Sequence, residues 1–416
     1  MSIALFIVFA ILLLFNVPIA ISLGASSAVA LFAGGMSQNM IPSNIFAATS
    51  KFVLLAIPFF ILAGNIMDKA GISGKLIDLA QAMVGHKKGG LAMVCIIVSC
   101  FFAAISGSGP ATVAALGMVV IPAMVKVGYK PAFAAALMAT GGAIGVVIPP
   151  SITFVVYGAI SNASIAALFM SGIVPGIMMG AALIGVAIWV TRKQDLEVLP
   201  KTNGKQKMKA FKDAFWGLMM PVIILGGIYG GIFTPTEAAA VSAVYGLVVG
   251  IFVYRSVGVK KFYQILVDTA TQTGVIMFII ATASLFAWVI TIDGIANKLI
   301  GLLGMIAGGN VIIYFIILNI VFLMAGCVLD ATSAFYILTP IFLPVAIQMG
   351  IDPVHLGTVM VVNLAIGLVT PPVGVNLFVA CGIGKITLKD ISKEVLPFVI
   401  ACLVVLMLVT YVPIFY

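Results

Sequence analysis

The chain has 416 residues, of which 63% are hydrophobic and 8% charged, against about 25% charged in an ordinary soluble domain. So little charge excludes a water-exposed globular fold and makes lipid the solvent. The net charge of +9 does not point to nucleic acid, because seven basic residues fall between Arg192 and Lys212 and three more at Arg255, Lys260 and Lys261. Short basic segments between apolar ones are the signature of cytoplasmic loops, with anionic lipid headgroups as incidental contacts.

In chain order, apolar runs occupy about 3–34, 50–68, 90–125, 131–160, 164–191, 214–233, 236–254, 272–292, 298–328, 331–348, 356–382 and 394–414. Many approach or exceed the roughly 20 residues that span hydrocarbon. The first run carries no Lys or Arg, so it reads as a mature helix rather than a signal peptide. The basic segment 192–213 divides the chain, with a first repeat at 1–191 and a second at 214–416. Within the second, 214–233 and 236–254 read as a helical hairpin whose ends are cytoplasmic. At its tip, Thr234-Pro235-Thr236-Glu237 has the form of a capping box, with Pro at the first helical position. That structural role accounts for Glu237.

Sliding the chain by 222 positions superimposes Pro122 on Pro344, Gly128 on Gly350, Pro131 on Pro353, Gly145 on Gly367, Pro149-Pro150 on Pro371-Pro372 and Pro175 on Pro397. Five of the six prolines between positions 103 and 175 find a proline partner, so the helix breaks are duplicated as a set. Paired Gly/Pro-interrupted segments in two halves point to the binding site of a secondary transporter. In the first break, Pro149 and Pro150 lack N–H groups and leave the carbonyls of Gly145 and Val146 without their helical donors. The second break does the same for Gly367 and Leu368, and Thr370 adds a hydroxyl. Such carbonyls must face protein, water or an ion, and as a cluster of hard oxygens they suit sodium; a plain proline kink is the competing reading.

A polar turn precedes each break: Ser106-Gly107-Ser108-Gly109-Pro110 in the first copy and Gly326-Cys327-Val328-Leu329-Asp330 in the second, with Ser108 and Asp330 as repeat partners. Each reads as the tip of a re-entrant hairpin, where a half-helix N-terminus can meet an anion. Asp330 is an acid within an apolar run and so a functional candidate, although an N-cap with Ser333 also explains it. Asp268 and Asp293 lie nearer run ends and read as interfacial. Cys95, Cys100, Cys327, Cys381 and Cys402 form no CxxC, and His86 and His355 are far apart. No nucleophile–base set, metal cluster, P-loop or dinucleotide fingerprint is visible. The reading is therefore not an enzyme, with no cofactor, and with transport energy drawn from an ion gradient.

Taken together, Ser106 to Thr112, the Gly145–Pro150 break, Thr234 to Ala238 and Thr370-Pro371-Pro372-Val373-Gly374 resemble the large membrane (M) subunit of tripartite ATP-independent periplasmic (TRAP) transporters, over the whole chain. The resemblance implies an all-α polytopic membrane protein of two inverted-topology repeats with re-entrant hairpins, working as an elevator in the bacterial inner membrane. It implies sodium at Ser106, Gly145, Ile148 and Pro149, and again at Gly326, Gly367, Thr370 and Pro371. Ser108, Ser151 and Asp330 would lie beside a carboxylate solute such as a C4-dicarboxylate, sialic acid or a sugar acid. The implied partners are a separate small (Q-type) membrane subunit and a periplasmic solute-binding protein. Ser106 aligns with Val328 and Ser151 with Val373, so the two ion sites differ chemically. A stand-alone sodium–dicarboxylate symporter and a passive channel are the alternatives.

Overall fold

The computed structural model describes residues 1–192, 194 and 196–412; positions 193 and 195 of the basic segment and 413–416 of the second repeat lie outside the described residues. Among those described, every regular element is a helix. The first half contains α1 (Ser2–Leu14), α2 (Ile19–Ala33), α3 (Met40–Thr49), α4 (Ala56–Lys69), α5 (Ile72–Val84), α6 (Gly90–Ser106), α7 (Gly109–Lys126), α8 (Pro131–Val147), α9 (Ile152–Ser161) and α10 (Ile165–Thr191). The second contains α11 (Gly204–Tyr229), α12 (Pro235–Val248), α13 (Val259–Ile292), α14 (Ile295–Ala307), α15 (Val311–Val328), α16 (Ala331–Gln348), α17 (Pro353–Gly367), α18 (Val375–Gly384) and α19 (Leu388–Tyr411). Helix α11 thus starts inside the basic segment. Ten of the helical stretches are long and apolar enough to cross a membrane.

Local chemistry sets the breaks. The run 3–34 is two helices, because Asn16 takes a left-handed φ of 59° and Pro18, the residue before α2, has no N–H to extend α1. The run 298–328 divides at Gly308 and Gly309, both at positive φ. There Asn310 accepts the N–H groups of Ile312 at 2.8 Å and Ile313 at 3.4 Å to open α15. The capping box at Thr234 is formed: Glu237 accepts the Thr234 N–H at 2.8 Å, and the Thr234 hydroxyl accepts the Glu237 N–H at 3.3 Å.

The five helices α6 to α10 recur as α15 to α19, each start falling within one residue of the 222-position offset. Each set is a helical hairpin, a broken helix and a long closing helix. The second piece of each broken helix crosses to the other set: α18 packs on α7 and α8, while α9 packs on α16 and α17. Two inverted-topology repeats are thereby locked into one body. Its centre is α8, buried from Phe133 to Val147, and α17, buried from His355 to Gly367. A helix apolar on every side is stable only when surrounded, and these two pack on each other. The helices α2, α4, α12 and α13 pack together as a flanking wall through the pairs α2–α13, α4–α12 and α4–α13. Outward-facing Phe101, Met118, Trp189 and Phe252 give the apolar rim that lipid requires.

Candidate functional site

At the first tip, Gly107 ends α6 at φ 61°. A Cβ there would stand 2.8 Å from the Pro150 carbonyl oxygen, so both the backbone angle and the space require glycine. The Ile152 N–H donates to the Gly107 carbonyl at 3.4 Å, and the tip therefore rests on the first break. Hydroxyls gather just behind it. Ser106 Oγ and Thr112 Oγ1 are 2.7 Å apart, Thr112 Oγ1 donates to the Ser108 carbonyl at 2.8 Å, and Ser106 Oγ lies 3.3 Å from the same carbonyl. Gly145 of α8 lies beneath this cluster: a Cβ on it would come 2.9 Å from Thr112 Oγ1 and 3.2 Å from the Ser108 carbonyl oxygen. Ser106, Ser108 and Gly145 are thus brought together. Thr112 completes the group; its only signal in the sequence is its place in the polar turn.

The break itself passes through extended Ile148 and a cis Pro149–Pro150 bond. The Val146 carbonyl freed by Pro150 accepts the hydroxyl of Ser151. Ser151 is fully buried and faces the break rather than either of the cavities described below.

The second copy is built differently. Gly326 and Gly367 meet backbone to backbone, and a Cβ on Gly367 would fall 2.5 Å from the Gly326 Cα. The Gly374 N–H donates to the Cys327 carbonyl at 3.3 Å, the counterpart of the Ile152 bond. The carbonyls expected to be free each accept a bond: Gly367 from the Thr370 N–H and Leu368 from the Asn376 N–H, both at 3.1 Å. Each keeps a second lone pair. The Thr370 hydroxyl donates to the Ile366 carbonyl at 2.7 Å, and Pro371 precedes a second cis proline, Pro372.

Between the tips lies a cavity of about 210 Å³ lined by Ser108, Val146, Thr153, Asp330, Thr332 and Leu368 among others. It unites Ser108 with its repeat partner Asp330. The two helix starts differ. Asp330 caps α16 by accepting the Ser333 N–H at 3.1 Å and the Ser333 hydroxyl, whereas Ser108 at the start of α7 makes no side-chain cap. A second cavity, of about 430 Å³, lies between the first tip and the wall; it is lined by Ser106 and Ser108 on one side and by Asn65, Asp68 and Gln272 on the other.

Asn376 escaped the sequence reading. It is fully buried, donates to the Ala139 carbonyl at 3.1 Å, and so ties α18 to α8. Its repeat partner is Phe154, so the duplication concealed it. A buried amide pair, Asn363 to Asn319 at 2.8 Å, joins α17 to α15 in the second copy alone, where the first has Gly141 and Ile97.

Comparison with known proteins places this arrangement. Residues 6–415 match the family described as the tripartite ATP-independent periplasmic transporter, DctM component. The chain is 46% identical over 98% of its length to the isethionate TRAP transporter permease protein DctMQ of Oleidesulfovibrio alaskensis, of which it spans 65%. It is 43% identical over 94% of its length to the C4-dicarboxylate TRAP transporter large permease protein DctM of Pseudomonas aeruginosa, of which it spans 92%. With the 2,3-diketo-L-gulonate TRAP transporter large permease protein YiaN of Escherichia coli it shares 37% identity, over 96% of this chain and 94% of that one. In fold it is similar to the Alcanivorax borkumensis YdaH transporter, at 14% identity and a TM-score of 0.68 over 98% of both chains. It is also similar to Neisseria gonorrhoeae MtrF, at 12% identity and a TM-score of 0.62 over 89% of this chain and 82% of that one. The chain therefore belongs to the DctM family of tripartite ATP-independent periplasmic transporter components, multi-pass proteins of the bacterial inner membrane.

Proposed function

We propose that this chain is the membrane permease subunit of a sodium-coupled importer of small organic anions of the carboxylate class, working with a small membrane subunit and a periplasmic solute-binding protein. The observation that carries the reading is the cavity between the hairpin tips, where Ser108 and Asp330 share one wall-to-wall space. A half-helix N-terminus favours an anion. The start of α7, with no side chain capping it, is the place for the solute's carboxylate. Asp330 opposite it faces the solute's hydroxyl groups. Sodium sits beside the solute, first among Ser106, Thr112, the Ser108 carbonyl and Gly145, and second near Gly326, Gly367 and Thr370.

The repeats 1–191 and 214–416, joined by 192–213, supply one hairpin each to a moving body formed with the broken helices. The wall of α2, α4, α12 and α13 stays with the small subunit, and the movement between them is of the elevator kind. The relatives named above are called carriers of isethionate, C4-dicarboxylate and 2,3-diketo-L-gulonate, all small anions, which supports the charge class. The test is reconstitution of the three proteins in liposomes with a panel of dicarboxylates, sialic acid, sugar acids and isethionate. The reading requires uptake of at least one under an inward sodium gradient and none when choline replaces sodium. Equal uptake in both salts refutes sodium coupling.

A further inference from the structure

The larger cavity joins the first hairpin tip to the wall, and the wall contributes a carboxylate to it. Gly64 of α4 approaches the tip so closely that a Cβ on it would stand 3.4 Å from the Ser106 Cα. Asn65 and Asp68 follow on the same helix, and all three line the cavity with Ser106. Residues 64 and 68 are one helical turn apart, about 5–6 Å, on one face. Asp68 thus lies one turn beyond the point where the wall touches the tip. Its carboxylate is half-buried and its partner is the Ser73 hydroxyl at 3.2 Å. Neighbouring Lys69 pairs with Asp268 at 3.5 Å, and its charge also acts on Asp68. Asp68 is the charged side chain among the residues lining this cavity; the other polar ones, Asn65, Ser106, Ser108, Thr271 and Gln272, are neutral.

The end of α4 also fixes which mouth this is. The carbonyl of Lys69 accepts from Lys261 Nζ at 3.2 Å, and that of Ala70 from Ser256 Oγ at 3.0 Å. Asp68 therefore sits beside the basic segment 255–261, the side that the positive-inside bias assigns to the cytoplasm.

We infer that Asp68 is a cation-steering residue of the wall: its carboxylate raises the sodium concentration at the cytoplasmic approach to the Ser106 cluster and disfavours re-entry of the released anion by the same route. The inference rests on the sodium reading above and adds a wall residue to it. A single negative charge in a cleft with low-dielectric sides concentrates cations along its length. At one or two helical turns the effect on an ion's apparent affinity is about three- to five-fold, and added salt screens it. Because Asp68 belongs to the wall and Ser106 to the hairpin, the charge acts only while the two face each other. Sodium capture is therefore stronger in this alignment than after the hairpin has moved away.

The experiment is a sodium titration of the purified protein, read as thermal stability, with choline chloride holding the ionic strength constant at a low and then at a high value. Asp68→Asn is expected to raise the half-maximal sodium concentration about three- to five-fold at low ionic strength and to match the wild type at high ionic strength. Asp68→Glu is expected to stay within the wild-type range. Gln272 is an exposed wall residue that lines the same cavity, and Gln272→Glu is expected to lower the half-maximal concentration, which keeps the test available should Asp68→Asn not fold. A wild-type sodium response left unchanged by both Asp68→Asn and Gln272→Glu overturns the steering role and leaves the sodium reading standing. A wild type with no sodium response overturns both.

Discussion

Both carboxylate oxygens of Asp330 are engaged by one residue, Ser333: one accepts its N–H at 3.1 Å and the other its hydroxyl. The acid in the tip is thus a helix cap and a wall of the inter-tip cavity at once, and the two roles separate by substitution. Asp330→Ala removes the cap, at about 1 kcal/mol, and is expected to abolish solute uptake. Asp330→Ser restores a capping side chain and is expected to recover stability without recovering uptake. Uptake by Asp330→Ser at the wild-type rate would reduce Asp330 to a cap.

In the proposed ion site behind the first tip Thr112 is as necessary as Ser106, since its hydroxyl touches both Ser106 Oγ and the Ser108 carbonyl. Thr112→Val keeps the shape and removes the oxygen, and is expected to lose the sodium-dependent gain in stability. Thr112→Ser is expected to retain it. Sodium titrations of the two variants decide the matter, and an unchanged response in Thr112→Val would remove this hydroxyl from the ion site.

The Gly326–Gly367 crossing predicts an order of damage. A Cβ on Gly367 would meet the Gly326 backbone at 2.5 Å, whereas one on Gly326 would meet Gly367 at 3.1 Å. Overpacking of this kind costs about 1–3 kcal/mol. Gly367→Ala is expected to lower the melting temperature more than Gly326→Ala, and both more than Gly185→Ala, where nothing lies within 4 Å.

Glu237 provides a control. It is exposed and held by Thr234 in a capping box, remote in sequence from both tips. Glu237→Ala is expected to lower thermal stability slightly and leave the uptake rate per folded molecule unchanged. A loss of uptake at full stability would show that its role as a cap is incomplete.

Much of this architecture is written in the chain because prolines and glycines act locally. The 222-position repeat locates both hairpins and both breaks, and Pro149-Pro150 and Pro371-Pro372 mark the breaks to the residue. What the residues do not reveal is which freed carbonyl finds a new donor. Val146 is satisfied by Ser151, and Leu368 by the Asn376 N–H from the start of the next half-helix. Those partners depend on how the chain returns after the break, which is a tertiary matter. The crossing of α9 and α18 into the opposite repeat is equally non-local, so the clamp of Asn376 on Ala139 had no visible counterpart in periodicity or spacing. Nor is the wall legible as a wall: Asp68 ends an ordinary apolar run, and only the approach of Gly64 to Ser106 shows that it shares a cavity with the tip.

Sodium at the hairpin tips is tested by the melting temperature of the purified chain in sodium chloride against choline chloride at equal ionic strength, alone and with the small membrane subunit. An ion at 100 times its dissociation constant adds about 2.7 kcal/mol to the folded state. The expected result is a rise specific to sodium that Ser106→Ala diminishes in a folded protein. Identical melting temperatures in the two salts, both for the chain alone and for the complex, would contradict it.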